Sequence, residues 1–501
     1  SLSTTYIDIG LIQETIYTYN IKALDAARNL SASSADFNVK TPTGINTNLT
    51  LTENLIYDEV YFGYGVLDLN GYTMTVNLDF VQAGGTLNIH SGQLTVNNDL
   101  TISAGTLDIN NGALETNGRL SISGGTLKVN NGNATIGTDL MLSAGTLDAV
   151  NGNLIISGSL IQTGGSLYVN GGRLTIAGDY NLTGPSYLYM RNEADYILVN
   201  GDFSMLSSGS MDGKLTAGTL EVKGGFTQGN YKRSFGATGT HKVLLSGNGL
   251  QIISFSDTQY SRFNILETNS TSLIRSIGKV SVNQLNANML NCSDFNLALN
   301  GTLTADLTVY GSAILSGATN LNGYVLTFND SLTVSGGTLD LNYGVLTTYG
   351  SLTIGSLTIA AGTLNLNHGS LTTYNSVMIS GGTLNINYGT LIANGPLLMA
   401  GGTLDVNCGI FTTNSAFDIS GGTLKINYGI MTTSTDLFLT GGTIDALGGG
   451  MTINGDLLQS GGSVKMHGGN IEIVGDYSLT GYSFINMSSS TDHLLVHGNF
   501  T

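Results

Sequence analysis

The sequence predicts an all-β chain wound as a single-stranded parallel β-helix, a β-solenoid with coils of about twenty residues. Three observations carry that prediction. The second residue of a Gly-Gly or Ala-Gly pair falls at Gly85, Gly105, Gly125, Gly145 and Gly165, then at Gly337, Gly362, Gly382, Gly402, Gly422, Gly442 and Gly462. The step is 20 residues, except for one of 25 where "GSLTI" (355–359) reads as an insertion. Within a period, apolar residues alternate with polar ones, as in a strand with one buried face. Third, 70 glycines, 3 prolines and only 10% charged residues accompany 41% hydrophobic residues. That mixture is too apolar for a disordered chain and suits short strands joined by tight turns.

The period opening at Gly85 offers Leu87, Ile89, Leu94, Val96, Leu100 and Ile102 to a core. The next offers Leu107, Ile109, Leu114, Leu120 and Ile122, with Thr116 in the remaining slot. Each coil therefore holds three short strands and three turns. Six buried aliphatic side chains, at roughly 1.5–3 kcal/mol each, do not offset the roughly 20–40 kcal/mol of backbone entropy lost in fixing twenty residues. A coil is stable only when stacked on others, about 4.8 Å apart, with backbone hydrogen bonds along the axis.

Two ladders are predicted along the turns of the second half: Thr338, Thr363, Thr383, Thr403 and Thr423, and Asn342, Asn367, Asn387, Asn407 and Asn427. Asn tolerates left-handed turn conformations, and stacked amides hydrogen-bond to one another. The Thr ladder extends to Thr443. An aromatic column, Tyr343, His368, Tyr388, Cys408 and Tyr428, reads as rings stacking along one turn line, with sugar stacking as the functional alternative. Thr347, Thr372, Thr412 and Thr432 form a further column that Ile392 interrupts, which disfavours an ice-binding array.

The chain divides into an N-terminal extended segment or cap (1–44), a regular block (45–185), a looped, less regular β-helix (186–320) and a second regular block (321–501). In the first of these, "TTYIDIGLIQETIYTY" reads as extended and "IKALDAARNL" as a short helix, together capping the first coil. Tyr6, Ile7, Ile9, Leu11, Ile16 and Tyr17 make the extended part a candidate assembly segment. "SYLYMRNEADYILVNGDF" (186–203) returns as "SFINMSSSTDHLLVHGNF" (483–500), a longer repeat above the short one. The final "GNFT" stops where the first copy continues as "GDFSMLSS", so the last coil is expected to continue in a longer chain or to be covered by another subunit.

"LDLNGYTMTVN", "QSGGSVKMHGGNIEIVGDY", "GTLEVKGGFTQ", "ATGTHKVLLSG" and "RFNILE" resemble modules of large secreted repeat proteins of bacterial cell surfaces. The coil is also similar to the right-handed β-helix of filamentous-haemagglutinin-type adhesins. The resemblance implies a right-handed helix, an extracellular site, and an adhesive or structural role without a catalytic motif.

Lyases and hydrolases on β-helices need clustered carboxylates, or an acid beside Arg or Lys. The candidates are Asp195 with Glu193 and Arg191, and Asp257 near Arg262. In the second copy Asp492 persists, but Ser488 and Ser490 replace Arg191 and Glu193, which argues against an enzyme. Asp108, Asp148 and Asp340 share a solvent slot with Lys128, Tyr168 and Lys425, so no calcium ladder is expected and only incidental calcium remains. No cofactor is expected. A net charge of −17 disfavours nucleic acid, and no apolar run is long enough for a membrane helix. The start at Ser1, with neither Met nor a signal-like segment, fits a processed piece of a secreted protein. Cys292 and Cys408 lie nearly six coils apart, about 28 Å at the coil spacing. A disulfide spans about 7 Å at most between Cα atoms, so none is expected within the chain.

The sequence thus points to an extracellular structural protein, a subunit or segment of a surface fibre, whose partner is itself, end to end. The alternatives are a monomeric adhesin stalk binding glycan or a host surface through residues 186–320, and a carbohydrate-active enzyme.

Overall fold

Alternating x-Leu-x-Ile phrases bounded by Gly and Asn fold as short parallel strands, each lying over its counterpart one coil away. The structure, a computed structural model, describes residues 8, 11–25, 27–229, 231–257, 259–268, 274–286, 289–293, 295–299, 301–303, 306–310, 313–316, 319–328, 332–336, 339–341, 343–354 and 357–501. Between 279 and 340 many of these are described by backbone alone. No described residue is helical. The chain forms two compact units, Ser1–Leu220 and Glu221–Thr501.

In the first unit one coil comprises Gln93–Val96, Leu100–Ile102 and Thr106–Asp108. Each strand pairs in parallel with its equivalent twenty residues later: Leu94 with Leu114, Leu100 with Leu120, Leu107 with Leu127. The twelve inward residues predicted for the coils opening at Gly85 and Gly105 are all buried. Thr116, the polar member, donates its hydroxyl to the Asn98 carbonyl at 2.8 Å. The second unit repeats the scheme, with Thr390–Ala393 beneath Ile410–Thr413 beneath Ile430–Thr433. This is the β-solenoid that the sequence predicts.

Glycine is required where coils touch backbone to backbone. Gly402 holds φ +69°, and a Cβ there would lie 2.1 Å from the Gly381 carbonyl oxygen and 2.4 Å from that of Gly382. No side chain fits that gap.

Two expectations need correction. "IKALDAARNL" is not a helix: Leu24 bridges Leu30 in antiparallel fashion. The Asp25 carboxylate accepts from the backbone N–H and side-chain amide of Asn29, a local turn that competes with helix. A ten-residue segment with no apolar face to pack cannot repay helix nucleation. It ends a hairpin in which Ile16–Tyr19 pairs with Phe37–Lys40. Of the candidate assembly segment, Tyr6, Ile7 and Ile9 lie outside the described residues. Leu11 and Tyr17 are half-buried, and Ile16 is 66% exposed.

The second correction concerns register at the 25-residue step. Val345–Thr348 pairs with Thr363–Leu366, and Leu352–Ile354 with Ser370–Thr373. The phrase that resembles Ser370–Thr373 thus lies one face away from it. Thr338 and Asn342 lie outside the described residues. The described register carries Thr363 over Val345, and the Asn367 N–H donates to the Thr348 carbonyl. Among the described residues, the two ladders run from Thr363 and from Asn367. Cys408 is a free, exposed thiol; the Cys292 side chain lies outside what is described.

Candidate functional site

The Asn ladder is a hydrogen-bonded column. Nδ2 of Asn387 donates to Oδ1 of Asn367 at 3.0 Å, Asn407 to Asn387 at 3.1 Å and Asn427 to Asn407 at 3.3 Å. Thr363, Thr383, Thr403, Thr423 and Thr443 follow one another in register, half-buried, and Thr443 meets Ser463 at 3.1 Å.

The catalytic candidates are structural. Asp195 is 1% exposed, and its carboxylate accepts the backbone N–H groups of Gly171, Arg191 and Asn192, closing a turn. Arg191 points elsewhere: Nε donates to the Gly213 carbonyl, and the guanidinium lies 4.8 Å from the centre of the Tyr189 ring. Asp492 repeats the turn with Gly468 and Ser489. Asp257 accepts from the N–H groups of Gln259 and Tyr260, a turn of its own. The carboxylates of Asp195, Asp492 and Asp257 are thus spent on backbone N–H groups.

The calcium candidates are likewise engaged. Asp108 accepts from Asn130 Nδ2 at 3.0 Å and Asp148 from Asn170 Nδ2 at 2.8 Å. The same slot pairs Asp68 with His90 and Asp445 with His467. The Asp340 side chain lies outside the description. Among the described residues, no three His, Cys, Asp or Glu side chains converge on a metal-sized space.

Two recurrent devices escaped the sequence reading. An aspartate before the strand-opening Leu, Tyr or Phe receives the next coil's amide: Asp99 from Arg119 N, Asp139 from Ser159 N, Asp179 from Asp202 N, Asp436 from Asp456 N, and Asp456 from Asp476 N. The signal was visible, since Asp recurs in "NNDL", "GTDL", "AGDY" and "NGDL". Inside the core, the Tyr180 hydroxyl donates to Gln162 Oε1 at 2.8 Å, and the Gln162 amide donates to the carbonyls of Gly165 and Tyr187. Burial raises the Tyr180 pKa well above its ordinary value. Tyr477 and Gln459 reproduce the pair. The clue is Gln two places before Gly-Gly, in a slot that most coils fill with Ile, Leu or Met.

The aromatic column differs from its predicted membership. Ser370 Oγ donates to Ser351 Oγ at 2.9 Å, which aligns Tyr349, not Tyr343, beneath His368. The column in space is Tyr349, His368, Tyr388, Cys408 and Tyr428. His368 and Tyr388 stack with ring centres 5.2 Å apart and planes 16° apart. His368, Tyr388, Cys408 and Tyr428 hold φ between 55° and 64°. The first unit places Asn111, Asn131 and Asn151 in the same left-handed conformation, φ 54–64°. Asn tolerates it, whereas bulky residues incur up to about 1–2 kcal/mol each. Beside this column run two outward columns, from Ser351 and Thr353 to Gly450 and Thr452. Thr372, Thr412 and Thr432 belong to the second of these; Thr347 does not, because it pairs with Asn365.

Among the described residues, the first and last coils bury their apolar side chains less fully than the coils between them. In the last coil Leu479, Ile485, Leu494 and Val496 are only half-buried, while Met487 is 50% and Phe500 57% exposed. Their counterparts in the longer repeat, Leu182, Leu188, Ile197, Val199, Met190 and Phe203, are all fully buried. There Met205 covers Leu182 and Leu215 covers Met190. At the other end Gln13 Oε1 accepts the Gly44 N–H at 2.8 Å and Glu14 accepts the Thr43 hydroxyl at 2.6 Å. Among the described residues, half-buried Leu49 and Tyr57 line an open depression of about 340 Å³ there, with buried Ile45 at its floor.

With that geometry in hand, comparison with known proteins is decisive on one point. The haemagglutinin-repeat profile matches residues 73–140, 117–184, 298–443 and 419–481, more than half of the chain. The chain belongs to the haemagglutinin-repeat family. No curated protein and no solved structure matches it. Haemagglutinin-repeat proteins are typically secreted, adhesin-like surface proteins of structural rather than enzymatic character.

Proposed function

We propose that the protein is a structural segment of a secreted, adhesin-like surface fibre that lengthens by stacking coil on coil. One observation carries the reading. Coils lie in parallel register on one another, and the apolar residues of each are buried because a neighbour covers them, as Met205 covers Leu182 and Leu114 covers Leu94. That pairing, coil on parallel coil, suits β-strand addition, whichever chain supplies the next coil. The self-partner, the extracellular site and the absence of a cofactor follow from this role.

Electron microscopy across a dilution series, with sedimentation velocity, tests it. Wild type is expected to form end-to-end assemblies as concentration rises, and Met487→Glu, at a half-exposed position, is expected to abolish them. Single particles of wild type at every concentration would remove self-stacking and favour the adhesin-stalk reading. That second reading has its own observation: Lys232 and Arg233 both lie against the Tyr260 ring, at 4.9 and 4.7 Å. A cationic, aromatic group within 186–320 suits glycan contact.

A further inference from the structure

We propose that one sheet face of the second unit docks side by side against the same face of a second copy of this chain. The inference is independent of axial stacking and rests on other residues.

The face comprises the two outward columns running from Ser351 and Thr353 to Gly450 and Thr452, flanked by the line from Tyr349 to Tyr428. Neither those columns nor that line holds a charged residue until Glu472, one coil beyond. In the corresponding columns of the first unit stand Glu115 and Arg173. A chain of net charge −17 repels its own copies, and a face without charged residues adds nothing to that repulsion. Apolar groups are presented instead: Ile410 is 49% exposed, Ile430 57%, Tyr388 61% and Tyr428 72%. Absence of Lys, Glu and Asp together with exposed Tyr is the composition of a protein interface.

The backbone adds a second line of argument. The turn line takes Asn in the first unit at the same left-handed φ, yet here it takes His368, Tyr388, Cys408 and Tyr428. Bulky side chains in a conformation that disfavours them, where a better-suited residue is used elsewhere in the same chain, point to a function outside the coil.

The occupant follows from periodicity. The surface repeats once per coil, about every 4.8 Å, and only another solenoid of equal spacing matches it row for row. Six rows at that spacing, by a strand of four residues with its flanks, cover roughly 500 Å² per copy, or about 1,000 Å² per pair, the lower bound of a specific interface. A flat glycan is the weaker candidate because His368 and Tyr388 turn their ring faces toward each other rather than outward.

Cys408, exposed within the line, is a native reporter. In a Cys292→Ser background, maleimide labelling of Cys408 is followed alongside sedimentation velocity from about 1 to about 100 µM, the range expected for a small interface. Labelling is expected to slow at least about fivefold as a dimer appears. Tyr388→Asn/Tyr428→Asn, which installs the first unit's own turn residue, is expected to label fast at every concentration and to melt no lower than wild type. Met487→Glu, which removes only axial stacking, should keep the protection. Concentration-independent labelling of wild type, protection that survives the Tyr variants, or protection lost with Met487→Glu overturns the proposal. Protection of a monomer by a neutral polysaccharide would also overturn it and assign the face to glycan.

Discussion

His241 is fully buried, and neither ring nitrogen has a hydrogen-bond partner. Its nearest aromatic neighbour is Phe235, ring centres 5.9 Å apart in an edge-on contact. Lys242, next in the chain, pairs with Glu267 at 3.0 Å. Burial lowers the His241 pKa from 6.5 to about 3. The sign is that of a group whose folded pKa is depressed. Above 6.5 both states are neutral; as pH falls below 6.5 only the unfolded state takes up the proton, and stability drains until the folded pKa is reached. At about 1.4 kcal/mol per pH unit, the second unit loses about 2 kcal/mol at pH 5 and up to about 5 kcal/mol near pH 3 through this residue. His241→Leu removes the titration and keeps the volume. Denaturant unfolding of both proteins, followed by circular dichroism between pH 7.5 and 4, isolates the effect, because all other carboxylates cancel in the difference. The variant's advantage is expected to widen steadily below pH 6.5. An advantage that stays flat with pH would show that the imidazole is hydrogen-bonded or hydrated, and the reasoning fails.

Other perturbations discriminate among the devices that hold the coils. Gly402→Ala, with a Cβ driven into two carbonyl oxygens at positive φ, is expected to lose at least about 2 kcal/mol; Gly450→Ala, with open space, is expected to be neutral in the same melt. Tyr180→Phe strands Gln162 Oε1 in the core, and a loss of about 1–3 kcal/mol by chemical denaturation checks it. Asn387→Ala removes one bond given and one received, about 1–2 kcal/mol; Asn367→Ala, which loses only the amide bond it receives from Asn387, is expected to cost about half as much.

Periodicity made the solenoid legible, because a period-2 apolar pattern inside a 20-residue repeat has one stable solution. It could not give the register at the 25-residue step. Every face of the coil carries the same x-Leu-x phrase, so Val345–Thr348 satisfies the core on either of two faces, and the packing of Leu346 on Leu364 decides. That is why Tyr343 was placed on the line that Tyr349 occupies. The buried Gln–Tyr pairs were hidden for a different reason. A glutamine at an inward position looks like a flaw in the pattern until its partner, eighteen residues on, is known to point at it. At the start of the chain helix propensity misleads, because the segment has nothing to pack against and closes as a hairpin instead.

The stacking of coils has a mechanical side. Strands lie across the axis, and the hydrogen bonds that join coils, such as Leu100 N to Arg119 O at 2.9 Å, run along it. A pull between neighbouring coils therefore strains a few bonds at a time and peels off one turn before the next is loaded. Each turn released pays out about twenty residues, roughly 65 Å of extended chain, and the coil left behind still displays the template for rewinding. A tether built this way yields to tugging in measured steps and recovers its length when the load is removed.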